Sequence, residues 1–419
     1  MSAKPLPLET HALSGSAAAF GLSRWLPLLA IFVAGIALRN FVVANTYVSW
    51  LITLCEKALN GERPYVDYIE VNPPASIWLY MTPVWLARVL GMRPEFMVDA
   101  FVFAAAIASL AVSAAILRGG TFLSRQAMFQ LAAAFAAVLL LLPAQNFGER
   151  EHIALMTFLP FLAVAAVRAK ALAPSLFFVL AAGLGAGVTA IIKPHFVFPV
   201  ILVSAVAALK VKDWRVFFAF ENWIAAVLLA AYAAAVYVFY PEFVAHTLPL
   251  VAEIYVPARA EIWPFLLQVA TPMLALVLVT TWRLKGKAAL QPPFSLLLAA
   301  CIGFSISYYV QLKGWSYHAY PMLALAFVAA AVAFMERWPL TPNHSESVDV
   351  WAKGIVPAFS IVLLAGATFV WMTVAVDAPH LRGDRKICAA SDRDRNYVGH
   401  RTGPSAHPRT RRQMGWSCL

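Results

Sequence analysis

The chain has 419 residues, of which 62% are hydrophobic and 13% charged, and its formal net charge is +11. A water-soluble globular chain of this length is closer to half apolar and a quarter charged, so the composition excludes a soluble fold. The basic residues mostly flank apolar segments, which is typical of membrane topology signals, so we expect no nucleic-acid partner.

The apolar residues come in blocks of about twenty, which is long enough for a helix to cross a bilayer. Backbone polar groups in lipid must be satisfied within the spanning segment, and the alternating pattern of barrel strands is absent. The sequence therefore predicts an all-α, polytopic integral membrane protein. We divide it into a cytoplasmic tail (1–24), a transmembrane domain (25–376) and a basic tail (377–419) whose composition predicts disorder.

About eleven segments are predicted to span the bilayer: Trp25–Val43, Phe96–Leu117, Met128–Leu142, Ile153–Val167, Ser175–Ile192, Phe196–Leu209, Trp223–Tyr240, Trp263–Trp282, Phe294–Tyr309, Met322–Met335 and Ile355–Val376. Two further stretches, Val48–Leu59 and Ala75–Leu90, are interrupted by charge or proline. We predict that both lie in the interface as helices of the first outer loop. With both stretches outside, the basic clusters between later spans fall on the cytoplasmic side. If Ala75–Leu90 crossed the membrane, all these clusters would be reversed.

Four polar segments then share the outer face: Gly61–Pro74, Asn146–His152, Lys193–His195 and Gln311–His318. Ionisable residues close to the membrane are energetically expensive and suggest function. Each segment taken alone is also compatible with a solvated loop, a charged helix cap or a side chain anchored at the interface. Their position on one face is the stronger signal.

This mixture of residues suits chemistry on a lipid phosphate. A carboxylate, Asp67 or Glu70, can act as general base toward an acceptor hydroxyl. Basic side chains can bind a phosphate and stabilise it as a leaving group, and aromatic rings suit both sugars and the lipid boundary. The candidate substrate- and phosphate-binding residues are Arg150, Glu151, His152, Lys193, His195, Lys313, Trp315, Tyr317 and His318.

The order of a first span, an outer loop with two interfacial helices and then Glu70-x-x-Pro73-Pro74 resembles GT-C glycosyltransferases that use polyprenyl-phosphate sugars. The bacterial relatives of protein mannosyltransferases and lipid A aminoarabinose transferases are most similar. Further polar motifs in Gly148–His152 and Gln311–His318 extend the resemblance over most of Trp25–Val376. It implies a periplasm-facing site in the bacterial inner membrane. There a sugar would pass from the lipid phosphate to a glycan, a glycolipid such as lipopolysaccharide, or a protein of the cell envelope.

One departure from the resemblance concerns the base. Many relatives have an acidic residue soon after the first span, where this chain has Asn45, which cannot be a base. Either Asp67 or Glu70 takes that role, or the chain is inactive. Metal use varies across the superfamily, so a divalent cation stays open, although no ligand set is evident.

Two other functions are compatible with a polytopic chain. A polysaccharide polymerase or ligase would carry an outer loop larger than Pro241–Glu261. A transporter would show charged or broken-helix positions near the middle of the membrane and internal repeats. The charged residues here lie at the ends of spans, and the glycines 183, 185 and 187 within one span are interpreted as a packing face.

Overall fold

The computed structural model describes residues 25–42, 45–257 and 259–337. The two predicted tails and the predicted span Ile355–Val376 lie outside these residues. Within the described residues the regular structure is helical, and its α-helices, in chain order, are α1 (Leu26–Phe41), α2 (Thr46–Leu59), α3 (Ala75–Leu90), α4 (Pro94–Gly120), α5 (Arg125–Leu140), α6 (Arg150–Arg168), α7 (Leu176–Ile192), α8 (Val197–Val211), α9 (Phe220–Phe239), α10 (Leu248–Tyr255), α11 (Ile262–Leu266), α12 (Ala270–Lys285), α13 (Phe294–Gln311) and α14 (Ser316–Arg337).

The predicted all-α, multi-spanning fold is confirmed. Six helices of the described residues are long and apolar enough to cross a membrane, or seven if the bent pair of α1 and α2 counts as one span. A helix lies at every predicted span up to Met322–Met335, but Trp263–Trp282 is divided between α11 and α12. Several of these helices, such as α5 and α7, are shorter than the length criterion for a span.

Helices α6 and α14 form the centre of the bundle. Each has 89% of its apolar span buried, whereas α9 has only 11% buried. Helix α6 packs against α4, α7 and α14, and α14 also packs against α5, α12 and α13. The apolar side chains of α9, such as Phe239 and Val227, are exposed, as expected for a helix that faces lipid.

The two stretches predicted to lie in the interface form α2 and α3, which pack against one another. Helix α2 is inclined to α1 by 79°, so α2 lies near the membrane plane if α1 crosses it. The charges that interrupt these stretches pair with one another, since Arg88 Nη2 lies 2.5 Å from Glu56 Oε2. Helix α3 ends at Gly91, whose φ of 64° is in the left-handed region that glycine adopts without strain.

The glycines of α7 allow close helix packing on two sides. A Cβ at Gly183 or Gly187 would lie 2.7 Å from a side-chain carbon of α9. A Cβ at Gly185 would instead run into the carbonyl of Thr157 on α6. The predicted packing face is therefore confirmed, and it holds α7 between its two neighbours.

Candidate active site

Glu70 lies in the first outer loop and points into the protein. Only 1% of the residue is exposed. Its Oε1 accepts hydrogen bonds from the Tyr47 hydroxyl and the Asn72 backbone N–H, both at 2.9 Å, and its Oε2 accepts one from Trp50 Nε1 at 2.9 Å. These bonds hold the carboxylate against α2, with both of its oxygens engaged.

The Tyr47 ring connects this loop to the start of α6. The guanidinium carbon of Arg150 lies 4.9 Å from the centre of the ring, within range of a cation–π contact. Asn45 adds a second connection, because its side chain caps α2 at the Tyr47 N–H and also donates to Asn146 Oδ1 at 3.2 Å. Asn45 therefore has a structural place between two of the polar segments.

The turn before α6 fixes the positions of the charged residues at the start of that helix. Gly148 has a φ of 80°, its carbonyl accepts from the Tyr80 hydroxyl at 2.6 Å, and its N–H donates to His152 Nδ1 at 3.0 Å. The Nε2–H of His152 donates to the Leu139 carbonyl at 2.8 Å. Both nitrogens of His152 are therefore engaged by the backbone, one by the turn and the other by α5, and neither is free for a substrate in this structure. The turn places Glu149 just before the first residue of α6.

Glu151 joins three of the polar segments. One of its oxygens forms an ion pair with Lys193 at the end of α7, and the same oxygen lies 3.4 Å from His318 Nε2 at the start of α14. The Lys193 ammonium also lies 5.6 Å from the centre of the Tyr317 ring. The side chains of Glu151, Lys193 and His318 are 1%, 9% and 2% exposed, so this is a buried charge cluster.

The turn between α13 and α14 carries Lys313, which with Arg150 and Lys193 makes up the lysines and arginine of the predicted site. The Lys313 ammonium lies 3.4 Å from the centre of the Tyr255 ring and 4.9 Å from that of Trp315. Gly314 in this turn has a φ of 69°, and a Cβ there would collide with the Gln268 side chain. The Trp315 ring is 5.2 Å from that of His318, so the turn is continuous with the charge cluster.

Several polar atoms of this cluster are buried without a hydrogen-bond partner in the described part of the chain. They are Glu149 Oε1 and Oε2, Arg150 Nε, Glu151 Oε2, His195 Nε2 and His318 Nδ1. A buried polar group without a partner is unfavourable, and a native structure that keeps several of them together indicates a place for a polar ligand.

Burial shifts the pKa values of three site groups that lie outside the membrane-spanning helices. It raises the pKa of Glu149 to about 8, and the nearby Glu151 carboxylate acts in the same direction. It lowers the pKa of Lys193 to about 8, against the opposing effect of Glu151. Burial, with the charge of Arg150, also lowers the pKa of Lys313. Shifted groups that gather at one place are typical of functional sites.

The predicted site residues divide clearly in the structure. Most of them meet in the cluster. Asp67 instead makes local contacts: it accepts a hydrogen bond from the Arg63 N–H at 2.7 Å, and 43% of its side chain is exposed. Sequence reasoning did not select Glu149 or Tyr47. An Arg between two Glu residues at a helix start was a signal for Glu149, but Tyr47 had none.

The described residues contain no group of three or more His, Cys, Asp or Glu side chains that can hold a metal ion. The carboxylates of the cluster face cations instead: Glu151 pairs with Lys193, and Glu149 is adjacent to Arg150.

No protein-family model and no curated protein gives a significant match to the chain. Solved structures do. The structure of ArnT from Cupriavidus metallidurans bound to undecaprenyl phosphate aligns with a TM-score of 0.56 and 16% identity, over 87% of this chain and 77% of that one. The chain has a GT-C fold. The apo structure of the same ArnT aligns similarly, with a TM-score of 0.53 and 16% identity over 86% of this chain and 77% of that one. The GT-C fold expected from the order of the motifs is thus confirmed.

Proposed function

We propose that this protein is a membrane glycosyltransferase of the bacterial inner membrane. It transfers a sugar from a polyprenyl-phosphate donor to a glycan, glycolipid or protein acceptor on the periplasmic face. The observation that carries the proposal is a buried cluster of charged side chains at one end of a GT-C fold, in which Glu149, Glu151 and Arg150 keep polar atoms without a hydrogen-bond partner among the described residues. The likeness to an ArnT structure that holds undecaprenyl phosphate supports the donor class.

The phosphate of the donor binds at the start of α6. Backbone N–H groups and the helix dipole favour an anion there, and Arg150 adds a charged fork that matches phosphate oxygens. Lys193, just after α7, pairs with Glu151 beside Arg150, and Lys313, in the turn before α14, has its pKa lowered by burial and by the nearby Arg150 charge. Departure of a phosphate requires stabilisation of negative charge, which these three cations supply in a site shielded from water.

The acceptor hydroxyl loses its proton to Glu149 in this proposal. Both oxygens of Glu149 lack a hydrogen-bond partner in the part of the chain that the structure describes, and burial raises its pKa, so that its ionised form is a stronger base than an ordinary carboxylate. Glu70, whose oxygens are already engaged, holds Tyr47 beside Arg150. Asp67 lies in an exposed local contact and takes no part in the reaction. The rings of Trp315 and Tyr317 provide apolar faces for the sugar.

The position of basic residues supports a periplasmic site. The helix ends opposite the cluster carry exposed cations, among them Arg118 in the last turn of α4, Arg125 at the start of α5, Arg283 in the last turn of α12 and Lys287 just after it. Cytoplasmic loops carry an excess of Lys and Arg, so the cluster faces the other side.

The proposal is tested by mass spectrometry of envelope glycolipids and glycans from a strain that lacks the gene. We expect one sugar-modified species to disappear, and to return with the wild-type gene or the Asp67→Asn variant but not with Arg150→Gln. Lys313→Gln, at a half-buried position, is a second test if Arg150→Gln does not accumulate in the membrane. An unchanged envelope, or full restoration by both site variants, would contradict the proposal. A defect in solute flux across proteoliposomes with no change in glycans would favour a transporter.

A further inference from the structure

A second cavity lies at the end of the bundle opposite the charge cluster. It has a volume of about 300 Å³, opens to the outside of the helices, and is lined by α4, α5, α6, α13 and α14. On α6 its lining runs from Leu159 to Ala166, whereas the cluster residue Glu151 lies at the other end of the same helix. At about 1.5 Å of rise per residue, Glu151 and Leu162 are separated by about 16 Å, so this is a different site.

The lining of the cavity matches a hydrocarbon chain. It consists mostly of aliphatic, aromatic and proline side chains; Ser113 and Gln291 are its uncharged polar members, and Lys285 and Glu336 are its charged ones. Protein interiors rarely contain voids much larger than a water molecule, so a space of this size is not an ordinary packing defect. The lining follows α6 from Leu159 to Ala166, eight residues whose seven steps of rise give a depth of about 10 Å, against about 15 Å for the hydrocarbon of one leaflet.

The charges around the cavity indicate which lipid enters. Lys285 lies with its ammonium 4.7 Å from the centre of the Phe294 ring and forms an ion pair with Glu336. Arg283, Lys287 and Arg125 are exposed at the same end of the bundle. Basic residues at a membrane surface attract anionic headgroups.

We infer that this cavity binds an acyl chain of an anionic phospholipid from the leaflet opposite the charge cluster, with the headgroup phosphate at Lys285. The bound chain fills the space between α4, α5 and α6 and supports α6, the helix that carries Arg150 and Glu151 at its far end. This site is independent of the proposed glycosyl transfer, and it is tested without any activity assay.

The test is photolabelling of the full-length protein in vesicles by phosphatidylglycerol with a diazirine at the end of one acyl chain. Helix α6 is 89% buried, so a label on Leu159–Ala166 requires a chain inside the cavity, whereas the lipid-facing helix α9 is labelled in any case. We expect label on both helices in the wild type. Replacing the probe by a zwitterionic phosphatidylcholine analogue is expected to lower the α6 label about fivefold, the equivalent of one lysine–headgroup contact.

Ala163→Trp fills the cavity from α6 and is expected to remove the α6 label while the α9 label stays. Ala226→Trp, on the exposed side of α9, is the matched control and leaves the α6 label unchanged. If α9 is labelled but α6 is not in the wild type, the inference is overturned. That result is expected if a later part of this chain, and not a lipid, fills the cavity. An α6 label that persists in Ala163→Trp would overturn it as well. The ratio of α6 label to α9 label in the wild type tests the inference even if Ala163→Trp does not fold.

Discussion

The ion pair between Lys193 and Glu151 is the contact in the charge cluster whose contribution to stability we can estimate best. Lys193→Met removes the ammonium and leaves the Glu151 carboxylate, 1% exposed, with only His318 beside one oxygen and no partner for the other. Breaking a buried pair by removing one partner costs about 3–5 kcal/mol, because it leaves an uncompensated charge out of water. We expect a loss of that size in the free energy of unfolding, measured by SDS titration in mixed micelles at pH 7.

The double variant Glu151→Gln/Lys193→Met separates this cause from simple loss of packing. A buried pair replaced by neutral side chains is often close to neutral in stability. The double variant should therefore be more stable than the sum of the two single losses predicts, by at least about 2 kcal/mol. Arg63→Met is the control, since Arg63 lies 3.9 Å from Asp67 with 72% of its side chain exposed. It should change stability by less than about 0.5 kcal/mol. Single effects that simply add, within about 0.5 kcal/mol, would refute the reasoning.

Four further predictions concern the same site and its supports. Glu70→Gln should lower sugar transfer by about 10- to 100-fold, since an amide cannot accept all the hydrogen bonds from Tyr47, Trp50 and Asn72. Asp67→Asn should keep wild-type activity, and equal losses in the two variants would contradict the supporting role of Glu70. The pKa of the Glu149 carboxyl is raised to about 8 in the folded chain, whereas the unfolded chain loses this proton at about 4.3, so Glu149 makes stability fall as pH rises between these values. From pH 5 to pH 7 the wild type should therefore lose more unfolding free energy than Glu149→Gln. Equal losses in the two proteins would exclude a raised pKa. Gly185→Ala should destabilise the protein by about 1–3 kcal/mol because its Cβ meets the Thr157 carbonyl, with Gly119→Ala, which has open space, as the control in the same unfolding assay. In intact cells, single cysteines at positions 67 and 313 should react with a membrane-impermeant maleimide, and one at Arg125 should react only after permeabilisation; labels on opposite faces at 67 and 313 would end the case for one outer site.

Part of this arrangement follows from the sequence because it depends on topology alone. Counting spans and basic clusters was enough to place Arg150, Lys193 and His318 at the same end of the bundle, and the structure joins Lys193 and His318 through Glu151, the residue that follows Arg150. The helices α2 and α3 were likewise predictable, since their internal charges are incompatible with the hydrocarbon core.

Other parts depend on side-chain direction, which one sequence does not encode visibly. Asp67 and Glu70 lie three residues apart in a loop, and only the fold shows that Glu70 turns toward Trp50 while Asp67 faces solvent. His152 is a residue type that often binds substrates, yet its two nitrogens are taken by the Gly148 N–H and by the Leu139 carbonyl of α5. The sequence marks Glu149 as one of two carboxylates beside Arg150 at a helix start, but only the structure shows that both of its oxygens are buried without a hydrogen-bond partner in the residues it describes.

The central claim is that the cations of the cluster form a binding site for a lipid phosphate. The direct test is calorimetric titration of the purified protein in detergent with undecaprenyl phosphate. We predict binding by the wild type, binding at least about tenfold weaker for Lys313→Gln and Arg150→Gln, in keeping with the loss of a charged hydrogen bond, and wild-type affinity for Asp67→Asn. No binding by the wild type, or the same affinity in all four proteins, would contradict the claim.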